Sequence, residues 1–203
     1  MRVAGSVVFA LSGLMSLFGS PVGTYTFTGT ASGIIGDTPF SDAMLIVTAT
    51  GDISSVAYTS PSYFLDLAGG VSSFDISGIG SGTFTDETYV FDNTGGVAGF
   101  GDSGAASCCD IIQTYDSAIG STAFAAYNLQ SSIGPLGPEA SDPSTADWVG
   151  LNTSLGSFTV TSYDGVLFQA TVGAVPEPRT FPLLGIGLVG MMIFMIRRKS
   201  SRT

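Results

Sequence analysis

Side chains that favour an exposed helix are almost missing from this chain. It has three Glu and one Lys, whereas Gly, Ser and Thr supply 76 of its 203 residues. Small and β-branched residues give up more freedom in a helix than straight-chain ones do, and they suit the pleated, half-buried surface of a strand. Fourteen Phe and seven Tyr are available to fill an interior. The chain therefore reads as all-β: a β-sandwich of short antiparallel strands joined by Gly-rich turns. A hydrophobic share of 44% excludes a disordered chain. The length fits one domain of roughly 150 residues plus terminal extras.

Charge divides the chain sharply. From Val3 to Pro178 there is no Lys or Arg, the chain has no His, and all 16 carboxylates fall in that stretch. A body without cations cannot neutralise phosphates, which excludes nucleic acid as a partner. Without His, neither a Ser-His-Asp nor a Cys-His unit can be built. His-ligated zinc, copper, iron and haem sites fall for the same reason. Carboxylate chemistry, a hard cation, or no chemistry at all is left, and the expectation is a protein that is not an enzyme.

Both ends carry apolar segments. Met1-Arg2 is followed by a mostly apolar stretch to Phe18, so residues 1–23 read as a signal-peptide-like segment. No A-x-A site is present and Pro21 disfavours cutting after Ser20, which places cleavage between Gly19 and Thr24. Residues 24–172 are then the exported all-β domain and 173–180 a linker. The 16 residues from Phe181 to Ile196 form an apolar run without a polar face. As a helix it is about 24 Å long, a short transmembrane span (181–196) that Thr180 and snorkelling arginines can extend. Arg197, Arg198 and Lys199 follow in a basic tail (197–203). By the positive-inside rule this tail is cytoplasmic, and the body lies on the outer side of the membrane.

The order of these features matters: Pro176-Glu177-Pro178, then Leu183-Leu184-Gly185-Ile186-Gly187-Leu188, then Arg197-Arg198-Lys199. From Val175 to Thr203 this resembles the PEP-CTERM sorting signal of Gram-negative bacteria. Tails of this type also go by the name ice-binding protein C-terminal domain, which describes the tail and not an activity. The resemblance implies an exported substrate of an exosortase, a membrane protease-transpeptidase acting near the Pro-Glu-Pro tripeptide. It implies transit through the inner membrane, with the body periplasmic, and then the cell envelope or the extracellular space. It is silent on what residues 24–172 do.

Strand-like runs occupy Thr24–Thr30, Ala43–Thr50, Ser54–Tyr58, Ser72–Ser77, Gly82–Thr85, Thr88–Phe91, Ser157–Tyr163 and Val166–Val172. No repeat of 20 to 50 residues suggests a solenoid. Asp164-Gly165 reads as a type I′ turn closing a hairpin between the last two runs. That pairs Tyr163 with Val166 and Thr161 with Phe168, and turns Phe158, Val160 and Leu167 to the other face. Asp110–Leu129 fits either a short helix or two more strands. Gly134–Asp147 holds Pro135, Pro138 and Pro143 and reads as a long loop, with Trp148 plugging the core edge.

Several constellations bear on chemistry. Gly101-Asp102-Ser103-Gly104 has the look of a serine-protease nucleophile motif, but with no His to take the proton it reads as a turn. Carboxylates gather at Asp86, Glu87 and Asp92, at Glu139, Asp142 and Asp147, and at Asp37 with Asp42. The first set could hold Ca2+, which takes oxygen ligands, although no EF-hand pattern is present. Paired carboxylates could also serve a small glycosidase. Adjacent Cys108 and Cys109 are small partly buried side chains, a strained vicinal disulfide, or an intermolecular link. Thr24, Thr26, Thr28 and Thr30 alternate with Tyr25 and Phe27. A threonine array could match ice or a polysaccharide surface, but one strand is not an array. The main expectation is a non-catalytic envelope or matrix protein associated with exopolysaccharide and carrying no cofactor. The alternatives are a Ca2+-dependent carbohydrate-binding module and, behind it, the glycosidase.

Overall fold

A computed structural model describes residues 20–103, 110–115, 122–137 and 150–173. In chain order it contains β1 (Val22–Ile35), β2 (Thr38–Asp52), a 3-10 turn (Ile53–Ser55), β3 (Ala57–Thr59), β4 (Ser62–Leu67), β5 (Ser73–Ile76) and β6 (Gly80–Thr83). There follow β7 (Thr88–Asn93), β8 (Val97–Asp102), β9 (Asp110–Tyr115), α1 (Thr122–Ala125), β10 (Ile133–Leu136), β11 (Leu151–Thr153) and β12 (Gly156–Gly173).

The all-β expectation holds. One sheet has seven strands in the order β10-β12-β1-β2-β5-β6, with β11 also on β12, and the other has five in the order β3-β4-β7-β8-β9. All pairings are antiparallel. The strands are not uniformly short: β1, β2 and β12 run for 14, 15 and 18 residues. The transmembrane span, residues 1–19 of the signal-like segment and Trp148 lie outside the described residues, whereas Val22 and Gly23, the end of that segment, already belong to β1.

β1 shows why the fold forms. Its period-2 alternation buries Tyr25, Phe27, Ala31 and Ile35 and leaves Thr24, Thr26 and Thr28 half-buried on the opposite face. Gly36, with φ +55°, helps reverse the chain into β2. Phe27 then meets Phe100 of β8 at 6.4 Å and Phe168 of β12 at 5.0 Å, so rings from both sheets share one core. Phe74, Phe84 and Phe158 extend that aromatic column. Thr114 of β9 ties the sheets at one edge, its Oγ1 donating to Val166 O of β12 at 2.7 Å.

β12 corrects the hairpin reading. Asp164-Gly165 is not a turn, and Ser157–Tyr163 and Val166–Val172 do not pair. They are consecutive parts of one strand that lies along β1 from Ile35↔Phe158 to Val22↔Gly173. The positive φ that suggested a type I′ turn is present, +64° at Gly165, but a β-bulge uses it. Thr28 faces Leu167 and Thr30 faces Asp164, so Gly29 alone opposes Gly165 and Val166. A second register shift lies between Ser32 and Gly33. Each extra residue flips the inward phase. Phe158, Val160, Tyr163, Val166, Phe168 and Ala170 therefore all enter the core, while Leu167 faces outward.

Asp110–Leu129 supplies both a strand, β9, and the one-turn helix α1. The helix places Phe124 under Phe168, with ring centroids 5.7 Å apart. The stretch read as a loop from Gly134 starts with a short edge strand, β10, where a proline is tolerated. Residues 138–149 lie outside the description.

Candidate functional site

The three carboxylates read as a candidate Ca2+ set have separate roles. Asp86 accepts from the backbone N–H of Asn152 at 2.7 Å and from its side-chain amide at 3.1 and 3.2 Å, clamping β11. Glu87 is exposed and lines an open depression of about 390 Å³ with Asp66, Leu67, Ala68 and Ser103. Asp92 lies on β7 with no exposure at all. Asp86 and Asp92 are six chain steps apart, most of them along β7, at most roughly 20 Å of chain. Among the described residues no three His, Cys, Asp or Glu side chains gather where they could hold a metal.

Asp42 sits at φ +48° and its N–H donates to Ser32 Oγ, a local turn arrangement. Ser103 follows β8 and its N–H donates to Glu87 O at 3.1 Å. Cys108, Cys109, Glu139, Asp142, Asp147, Pro176, Glu177, Pro178, Arg197, Arg198 and Lys199 lie outside the described residues.

Sequence reasoning missed the burial of Asp92. Asp92-Asn93 resembles the start of a turn, yet the strand runs through both to Asn93. The inward alternation Thr88, Val90, Asp92 was the available signal. Tyr127, just beyond α1, is buried and feels the charge of Asp92, and it is coupled in turn to the buried Tyr25 of β1. The hydroxyl of Tyr25 donates to Leu129 O at 2.5 Å. Burial pushes its phenol up to about 12, and pushes that of Tyr127 up as well.

A broader feature is the outer face of the seven-stranded sheet. The register extends the β1 threonines into a second dimension. Thr24 is flanked by Thr50 on β2 and Thr171 on β12, and Thr26 by Thr48 and Gln169. Thr48 in turn faces Ser73 of β5, which faces Thr83 of β6. These rows carry no charge. The hydroxyls of Thr24, Thr26, Thr48, Thr50 and Thr171 have no hydrogen-bond partner among the described residues, so they point groups at a grid of about 4.8 Å by 6.8 Å. Thr28, Ile46 and Leu167 form the next row, with Asp75 beyond them.

Residues 174–199 match the family model described as the PEP-CTERM protein-sorting motif. Neither the curated proteins nor the solved structures gave a match. The chain therefore carries a PEP-CTERM sorting motif, which addresses it to an exosortase and through the membrane to the cell envelope or the extracellular space.

Proposed function

We propose that this chain is a non-catalytic component of the cell envelope or extracellular matrix that associates with exopolysaccharide, and that the hydroxyl face of the seven-stranded sheet is its contact surface. The sorting motif carries the reading, because it sends to the cell exterior a body lacking the residue types that most catalytic units need. Charge narrows the polymer. The described residues hold eleven carboxylates and no Lys, Arg or His, so an acidic polysaccharide is repelled. An uncharged, hydroxyl-bearing chain meets no such penalty on the Thr24–Thr26–Thr48–Thr50–Thr171 grid. In this reading residues 181–196 span the membrane, the body is periplasmic, and Arg197, Arg198 and Lys199 stay cytoplasmic.

Two experiments test it. A reporter fused to Val175–Thr203 should fractionate with the envelope, and a reporter left in the cytoplasm sinks the sorting half. The full chain in mild detergent should co-sediment with an insoluble neutral glucan and not with alginate. Replacing Thr24, Thr26, Thr48 and Thr50 by Val keeps the shape and removes four hydroxyls, each worth about 0.5–1.5 kcal/mol in a hydrogen bond. Glucan binding should weaken at least tenfold, and unchanged binding removes the face from consideration.

The Ca2+-dependent carbohydrate module is the second reading. What supports it is the depression that Glu87 shares with Asp66. A calorimetric titration with CaCl2 that yields no heat removes it.

A further inference from the structure

We infer that Asp92 is a proton-operated catch: the two sheets close over it only while its carboxyl is protonated, so the exported domain tightens in acid and loosens in alkali. The geometry leaves the carboxylate no other means of neutralisation. Asp92 is fully buried, and among the described residues neither of its oxygens has a hydrogen-bond partner. The hydroxyl of Tyr127 is buried and equally unpartnered.

Among the described residues, phenols and apolar side chains neighbour Asp92, and the hydroxyl of Thr114, next in its row beyond Ala98, is committed to Val166 O. Its register partners are Tyr63 on β4 and Ala98 on β8. Val90, two residues earlier on the same face, is fully buried. Tyr127, on the segment after α1, has its pKa raised by burial first, then by the charge of Tyr25 from β1 and by that of Asp92. No cation is within reach on any of these elements, since Val3 to Pro178 contains no Lys or Arg and the chain no His. An ion pair, the usual rescue for a buried carboxylate, cannot form. A charge there without partners would cost several kcal/mol, so the group binds a proton instead.

Burial pushes Asp92 up to about 8. An unfolded Asp titrates near 3.9. Between the two values the folded chain holds a proton that the unfolded chain has released. Stability therefore falls as pH rises through this window, and the loss is complete above the folded value. Because the chain is exported, the proton comes from the outside medium. Loosening at this point frees the end of the sandwich where Tyr25 and Tyr127 pack against Phe168.

The test is urea unfolding of the full chain in detergent, followed by far-UV circular dichroism from pH 5 to pH 9. The wild-type midpoint should fall by roughly 2 M across that range. Asp92→Asn, which keeps the shape and cannot ionise, should flatten the fall and be the more stable protein at pH 8.5. A wild-type midpoint independent of pH overturns the inference, and so does an Asp92→Asn protein that falls in parallel with it. If the variant does not fold, infrared difference spectra of the wild type between pH 6 and pH 9 decide. The carbonyl stretch of a buried protonated carboxylic acid must be present at pH 6 and vanish near pH 8, and its absence at pH 6 refutes the catch.

Discussion

Replacing Gly33 by Ala should destabilise the domain more than replacing Gly165 by Ala, although Gly165 sits in the motif that looks most like a turn. At Gly165 the only obstacle is the backbone, φ +64°, because nothing lies within 4 Å of an added Cβ. Holding an L-residue in the left-handed region costs about 1–2 kcal/mol, and the stiffer unfolded chain returns roughly half of one. The net cost is about 1 kcal/mol. Gly33 has an ordinary φ, yet a Cβ there would overlap the carbonyl oxygen of Thr159 and come within 3.0 Å of Val160 Cα. Both neighbours are backbone of β12, so relief requires moving the longest strand at its second register shift, where Ser32 faces Ser162 and Gly33 faces Val160. Phe40 Cζ, at 2.8 Å, closes the remaining side. Overpacking against an unyielding backbone costs about 3 kcal/mol. Urea unfolding of both variants at pH 6 should give a midpoint shift two to three times larger for Gly33→Ala. Equal shifts, or a larger one for Gly165→Ala, would mean that β12 does not lie bulged against β1 as described, and a hairpin at Asp164-Gly165 would return.

Other substitutions probe separate parts of the fold. Phe168→Ala removes the ring that Tyr25, Phe27, Phe124 and Tyr127 all contact, and thermal melting should register a loss of about 3–5 kcal/mol. Thr114→Val deletes the side-chain bond from β9 to Val166 O and leaves that buried carbonyl one partner short, about 1–2 kcal/mol by chemical unfolding. Asn152→Ala takes two amide bonds from Asp86 but spares the backbone one. About 1 kcal/mol should be lost, with faster hydrogen exchange in β11 before any global change.

How much of this could be read in advance depended on whether the information is local. In β1, Thr24 to Thr30 alternate without interruption, so the inward Tyr25 and Phe27 and the outward threonines were legible from the period alone. β12 was not, because two bulges shift the phase and Gly165 uses a conformation that turns and bulges share. The hydroxyl grid was half legible. One row is in the sequence, but its width depends on the pairing of Thr24 with Thr50 and Thr171, set by register between segments 26 and 147 positions apart. The group around Asp92 was hidden for the same reason: Tyr25 reaches Leu129 across 104 positions, and no local pattern announces that.

The missing cations and the abundant hydroxyls are two sides of one property. A domain with acids but no bases must satisfy its carboxylates with neutral donors, and Ser, Thr, Asn, Tyr and backbone N–H groups supply them. Asp52 accepts from the side chain and the backbone of Ser54, which hold its carboxyl below the usual range. Ser81 donates to Asp75, Tyr89 to Asp110, the N–H of Gly165 to Asp164, and Asn152 to Asp86. Neutral donors serve this way only near the surface, where water shares the load and the residual charge is screened. In the core they do not suffice, because a lone ion there needs a countercharge or a proton. Asp92 is the one carboxylate among those described that the alternation of β7 carries fully inside, where its register partners are Tyr63 and Ala98 and no donor bonds either of its oxygens. The composition that keeps this exported surface acidic thus also makes the one fully buried acid among the described residues answer to pH.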